Sequence, residues 1–181
     1  LRVADATLAV LVSAVVADPS GWCRGHAPVP QRINVEFVSA NPTGPLHIGN
    51  ARGAFVGDLL SRVLEAAGHE ATREYYFNDF GAQVRNLGAS IVAIRGGSAI
   101  PEDGYSAPYV HDLAARVPES VSDAESGDGG PDADGAAWAV GRWASEEIRR
   151  GIEASLERLG VHFDVWKTES SLHDEGWVER A

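Results

Sequence analysis

The chain of 181 residues has no methionine, one cysteine and one lysine. Without an initiator residue at position 1, it is expected to be an internal fragment of a longer protein. The single Cys23 excludes an internal disulfide framework and a cysteine-based zinc site within the chain, and it fits a reducing compartment. Cations are scarce as well: 15 Lys and Arg against 26 Asp and Glu give a net charge of −11. Broad non-specific adhesion to nucleic acid needs clustered cations to neutralise phosphates, so this charge argues against it. Much of the acid falls in one stretch, 118–134. No apolar run is long enough to span a bilayer. Residues 6–17 imitate the apolar centre of a signal peptide, but Asp5 interrupts its approach.

The length suits one ordinary core, or one domain with part of another. Residues 7–16 form an apolar run compatible with either helix or strand, closed by Asp18-Pro19-Ser20-Gly21. The proline-bearing stretch 25–30 reads as a linker, which sets a domain boundary near Gln31. Beyond it the order is strand 32–39, turn, helix from Ile48, strand 71–77, helix 80–95, an insertion with a short helix 110–117, helix 138–159 and strand 161–166. That alternation is the rhythm of an α/β fold with parallel strands. Phe55, Leu59, Leu60, Val63, Leu64 and Ala67 share one face of the first long helix and are expected to be core, with Gly68 as its left-handed stop. Val84, Leu87, Ile91 and Ile94 are expected to point inward from the next helix, and Ile148, Ile152, Leu156 and Leu159 from the last. Residues 120–134 are Ser, Asp, Glu and Gly with almost nothing apolar, and are expected to form a solvated, mobile loop with no chemistry of its own.

The chemistry concentrates in residues 40–50, Ala-Asn-Pro-Thr-Gly-Pro-Leu-His-Ile-Gly-Asn. This Gly- and Pro-punctuated turn follows a strand and opens a long amphipathic helix, whose positive end suits a bound phosphate. His47 can donate a hydrogen bond to a phosphate oxygen as charge grows on it. Gly49 leaves the backbone open to a nucleotide base. Thr43 and Gly44 shape the turn, and Pro42 and Pro45 stiffen it. Asn41 offers an amide at the strand end, although an Asn-Pro pair also serves as a plain turn initiator. Glu36 sits in an apolar run, where a buried acid needs a cation; a protein arginine such as Arg52 is the favoured partner over a substrate. Tyr76, Asp79 and Gln83 lie near the strand ends where ligands of such folds bind, as supporting groups.

His47-Ile48-Gly49-Asn50 resembles the His-Ile-Gly-His signature of the class I aminoacyl-tRNA synthetases. Val35-Glu36-Phe37-Val38-Ser39-Ala40-Asn41-Pro42-Thr43-Gly44-Pro45-Leu46 before it, Ala51-Arg52-Gly53-Ala54 and Gly57-Asp58 after it, and Arg73-Glu74-Tyr75-Tyr76-Phe77-Asn78-Asp79 resemble the bacterial-type arginyl-tRNA synthetases. So do Phe163-Asp164-Val165-Trp166 and Glu169-Ser170-Ser171-Leu172. The resemblance implies a Rossmann-like parallel sheet. Residues 32–181 would be the first half of the catalytic domain, with an acidic loop at about 118–136, and residues 1–31 the tail of an N-terminal accessory domain with its linker.

The implied reaction is ATP-dependent activation of L-arginine to arginyl-adenylate, followed by transfer to tRNA(Arg). The resemblance carries His47 and Asn50 into catalysis, Thr43, Gly44, His47, Gly49 and Asn50 into the ATP site, and Ser39, Ala40, Asn41 and Asn50 into the arginine site. ATP would arrive with Mg2+, for which no protein ligands are identified. The family implies a cytoplasmic, monomeric enzyme without membrane attachment. Asn50 departs from the signature; an amide donates and accepts hydrogen bonds as neutral histidine does but carries no charge. The second class I signature, of the Lys-Met-Ser-Lys type, is incompatible with a chain that lacks methionine and whose one lysine is Lys167. The guanidinium-reading residues are expected in the other half of the sheet, so the fragment alone is expected to be inactive. The alternatives are a small nucleotidyltransferase of similar fold and a truncated, non-catalytic nucleotide-binding module.

Overall fold

Three parallel strands, β1 (Arg32–Glu36), β2 (Glu70–Phe77) and β3 (Val165–Thr168), lie side by side in that order in a computed structural model. The structure describes residues 2–22, 24–123 and 133–181. The first pairing runs in register from Arg32 opposite Glu70 to Glu36 opposite Glu74, the second from Glu74 opposite Val165 to Phe77 opposite Thr168. Eight helices complete the described residues: α1 (Asp5–Ala17), α2 (Ile48–Ala66), α3 (Ala82–Gly96), α4 (Pro108–Arg116), α5 (Glu119–Asp123), α6 (Ala133–Arg158), α7 (Glu169–Asp174) and α8 (Trp177–Arg180). All three strands therefore end on the same rim, where open α/β sheets bind their ligands.

The core joins Tyr75 and Phe77 of β2 to Leu87 and Ile91 of α3, Val110 and Leu113 of α4, and Val140, Ile148, Ile152 and Leu156 of α6. Phe37, Tyr75, Phe163 and Trp166 form an aromatic cluster across the sheet, with Tyr75 stacked on Trp166 at 4.3 Å and Phe37 tilted against Phe163 at 4.4 Å between ring centroids. Helices α3 and α6 pack closely because Gly88 and Gly141 leave room; a Cβ on Gly88 would collide with the Ala137 carbonyl.

The first long helix reverses the expected orientation. Phe55, Leu59, Leu60 and Val63 are exposed, and the buried positions are Ala54, Gly57 and Ser61. Small residues face inward because the backbone of α2 approaches the sheet closely: a Cβ on Gly57 would run into the Phe37 ring. Hydrophobic periodicity identified the helix but not the side that packs.

Several boundaries also differ. β1 stops at Glu36 rather than Ser39, because Val38 and Ser39 adopt left-handed conformations with φ of 65° and 40°. The third strand runs 165–168 rather than 161–166; Val161 is buried ahead of it, and Asp164 docks on Arg73 through its amide and carboxylate at 2.9 and 2.8 Å. Residues 119–123 are helical and α6 already begins at Ala133. The remainder of the expected acidic loop lies outside the described residues. Leu159, expected inward, is exposed after α6 has ended. Helix α1 resolves the ambiguity of residues 7–16 as helix, with none of its residues buried.

Arg73 ties β2 to α2. Its guanidinium grips Glu65 with both terminal nitrogens at 2.7 and 3.2 Å and meets Asp58 at 3.4 Å, while Asp58 also holds Arg62 at 2.6 Å. The hydrogen bonds from Arg73 hold the Glu65 carboxyl below its ordinary range.

Candidate functional site

His47 is the N-cap of α2. Its Nδ1 accepts from the Gly49 amide at 3.1 Å, and the Asn50 side-chain oxygen accepts from the His47 amide at 3.0 Å, a reciprocal capping box. This geometry fixes the chemistry of the imidazole. With Nδ1 used as an acceptor, the proton of the neutral ring sits on Nε2, which becomes the donor directed away from the cap. His47 is exposed, so that donor is accessible.

Asn50 has a role that the signature alone did not reveal. Its oxygen is committed to the cap, which leaves its NH2 group as a donor without a partner among the described residues, three positions along from His47. Gly49 also acquires a second reason: a Cβ there would lie 2.9 Å from Cε1 and 3.0 Å from Nδ1 of His47, pressing on the folded imidazole.

The stretch leading to the turn is held from β2. The Tyr75 hydroxyl accepts from the Ala40 amide at 3.0 Å and donates to the Ala40 carbonyl at 3.1 Å, and burial pushes that hydroxyl up to a pKa of about 12. Ser39 is engaged too, its Oγ accepting from the Tyr76 amide at 3.1 Å. These bonds sustain the left-handed conformations at Val38 and Ser39, each of which costs about 1–3 kcal/mol. Asn41, by contrast, is exposed and its side chain makes no hydrogen bond among the described residues. Pro42 is fully buried beneath the turn, and the Thr43 carbonyl accepts a hydrogen bond from the hydroxyl of Tyr109 in α4.

Glu36 forms no ion pair with Arg52 or with any other described residue. An acid needs such a partner only when buried, and the Glu36 side chain emerges exposed at the end of β1. Next to it on the rim, the Tyr76 hydroxyl is raised by burial, by a hydrogen bond to Glu169, and by the negative charges of Glu169, Asp79 and Glu36. Asp79 accepts from the amide and hydroxyl of Ser170 at 2.9 and 2.6 Å, joining the end of β2 to α7. Gln83 is exposed on α3. Asp79, Arg142, Ser145 and Thr168 line a neighbouring cavity of about 410 Å³. The Ser145 hydroxyl is buried there without a partner, although Ser61, Ser90 and Ser155 each bond the carbonyl four residues earlier. Among the described residues, no three His, Cys, Asp or Glu side chains converge in a way that would hold a metal.

Sequence reasoning missed the two tyrosines that brace the turn. The period-two alternation of β2 puts Tyr75 and Phe77 on one face. Nothing in the pattern shows a hydroxyl reaching a backbone 35 residues earlier.

Residues 13–103 match the family described as tRNA synthetases class I (R), catalytic domain. Two curated relatives named arginine–tRNA ligase are similar. The Clavibacter sepedonicus protein is 43% identical over 177 residues, covering 97% of this chain and 31% of that protein. The Kineococcus radiotolerans protein is 44% identical over 180 residues, covering 94% and 30%. The chain thus spans about a third of the length of the curated relatives it matches. A Campylobacter jejuni crystal structure described as an arginyl-tRNA synthetase superposes with a TM-score of 0.77 at 31% identity, over 95% of this chain and 38% of the other. The Thermus thermophilus arginyl-tRNA synthetase, with a TM-score of 0.55 and 24% identity over 96% of this chain and 29% of the other, shares the fold.

Proposed function

Because the chain belongs to the class I tRNA synthetases (R), we propose that the whole protein activates L-arginine with ATP and transfers it to tRNA(Arg). The observation that carries this reading is the capping box at His47. It fixes an Nε2 donor at the N-terminus of a 19-residue helix, where a developing phosphate charge is best stabilised.

In the first step an arginine carboxylate oxygen attacks the α-phosphorus of ATP. The bond from that phosphorus to its bridging oxygen breaks, and pyrophosphate leaves with the electron pair. His47 Nε2 and the free Asn50 NH2 donate to the oxygens that gain charge. Thr43 and Gly44 shape the turn on the nucleotide side, Gly49 leaves backbone open to the base, and Ser39, Ala40 and Asn41 bound the arginine side of the turn. Asn41, whose amide has no partner among the described residues, is assigned to the α-amino or carboxylate end of the substrate. In the second step a terminal ribose hydroxyl of the tRNA attacks the arginyl carbonyl and AMP departs. Mg2+ accompanies the ATP phosphates.

The remaining assignments follow from the same reading. Residues 1–31 are the end of an accessory unit, a view supported by the wholly unburied α1, and residues 32–181 are the first half of the catalytic domain. The enzyme is monomeric and cytoplasmic; no described helix is long and apolar enough to cross a membrane. The test is arginylation by the full-length protein. Labelled arginine should become acid-precipitable only with ATP and tRNA present, and ATP–pyrophosphate exchange should require tRNA. Exchange without tRNA, or charging with a different amino acid, overturns the assignment.

A further inference from the structure

We propose that Tyr109 is a positioning residue of the site: by donating its hydroxyl to the Thr43 carbonyl, it sets the turn that delivers His47. This rests on the reading of that turn as the nucleotide half-site. Apart from this bond, no hydrogen bond reaches residues 41–46 from elsewhere in the described chain. The segment before them is fixed by Tyr75 at Ala40, and the segment after them by the cap at His47. The intervening residues carry two prolines, of which Pro42 is fully buried; beyond that packing the turn needs a directional anchor to the domain. Tyr109 supplies that anchor. It belongs to α4, whose Val110, Leu113 and Ala114 are buried in the core, so the hydroxyl is presented from a rigid support.

The local surroundings favour the same role. A Cβ added at Gly44 would stand 3.5 Å from the Tyr109 hydroxyl oxygen and 3.6 Å from its ring carbon Cζ, so the tyrosine lies directly beside the turn. Below the turn, Pro45, Leu46 and Tyr109 line a cavity of about 340 Å³ floored by Leu113, Ile148 and Ile152. The turn is thus held by the buried Pro42 and by this one hydrogen bond, with a cavity rather than packed side chains beside Tyr109. Burial holds the Tyr109 hydroxyl protonated above its ordinary range, with the neighbouring Tyr105 adding to the effect, so the donor persists across physiological pH. Precise placement matters because transition-state donors act only when pre-aligned with the oxygen that gains charge.

The experiment is a double-mutant cycle in the full-length enzyme, read by arginine-dependent ATP–pyrophosphate exchange with tRNA present and normalised to folded protein. Tyr109→Phe keeps the ring and removes the donor. Exchange kcat should fall about five- to ten-fold, in line with the loss of one hydrogen bond, while the KM for arginine stays within about two-fold. In a His47→Ala background the same substitution should cost less than about two-fold, because the group it positions is gone. Wild-type rates in Tyr109→Phe, a loss that vanishes on normalisation, or an equal loss with and without His47 overturns the inference. If the wild-type protein itself shows no arginine-dependent exchange, the underlying functional reading fails instead.

Discussion

At the scale of single residues, the site is built by commitments that leave one group free on each side chain. His47 spends Nδ1 on the Gly49 amide and keeps Nε2, while Asn50 spends its oxygen on the His47 amide and keeps its NH2. The departure from the family signature at Asn50 thus preserves a neutral donor and gives up only the capacity for charge. Gly49 follows from the same arrangement. Gly49→Ala adds a good helix former at the first turn of α2 but strains the cap, so the two effects offset and the melting midpoint should change little. The added methyl would sit against the His47 ring, and adenylate formation in the full-length enzyme should drop at least about ten-fold, since small misplacements at a reacting centre cost heavily. Undiminished activity would show that the imidazole does not work from its capped position. The turn itself was legible in the sequence from Gly, Pro and the strand–helix change around it. The capping geometry was not, because it depends on rotamers of residues that are local in sequence yet free to choose other partners.

At the scale of elements, the order of strands and helices from residue 32 onward was readable from hydrophobic period and turn signals, whereas residues 7–16, short and apolar throughout, fitted either helix or strand. Which face of α2 turns inward was not readable. Apolar size selected Phe55 and Leu59, whereas close approach to Phe37 required Ala54, Gly57 and Ser61. The end of β1 was hidden for a related reason, since Val38 is a strand former held in a left-handed conformation by contacts from β2. The Arg73 junction between β2 and α2 was also out of reach, as its partners lie 8 and 15 residues away on another element. Arg73→Ala should destabilise the fold by about 1–3 kcal/mol, because charge-assisted bonds to Glu65 and Asp58 are lost together; a change within error in urea denaturation would contradict that. The acid side of the stability profile follows with a definite sign. Glu65 and Glu146 are both held below their ordinary range, chiefly by hydrogen bonds from Arg73 and Arg149. Their contribution is complete above the unfolded carboxylate range, near pH 4.5, and is lost as pH falls through the lowered values. The melting midpoint should therefore be flat down to about pH 5 and decline below it. In Arg73→Ala that decline should be shallower.

At the scale of the whole molecule, the chain presents two apolar surfaces to solvent. One is the outer stripe of α2, with Phe55, Leu59, Leu60 and Val63; the other is α1, with Leu8, Val10, Leu11, Val12 and Val16. Patches of this size are unusual on an isolated soluble domain. The 181-residue chain prepared alone should bind anilinonaphthalene sulfonate under native conditions, and Phe55→Ser with Leu59→Gln should reduce that binding without lowering the melting midpoint. Unchanged dye binding would mean that the stripe is covered in solution.

The central claim is that His47, capped at the start of α2, stabilises the charge that develops on the ATP phosphate during arginine activation. It is tested most directly by single-turnover formation of arginyl-adenylate in the full-length enzyme, with tRNA and saturating ATP, comparing wild type with His47→Ala. The expected result is a loss of about a hundred-fold or more, the scale for removing one pre-aligned donor, with an unchanged circular dichroism spectrum. Equal rates in the two proteins would contradict the claim.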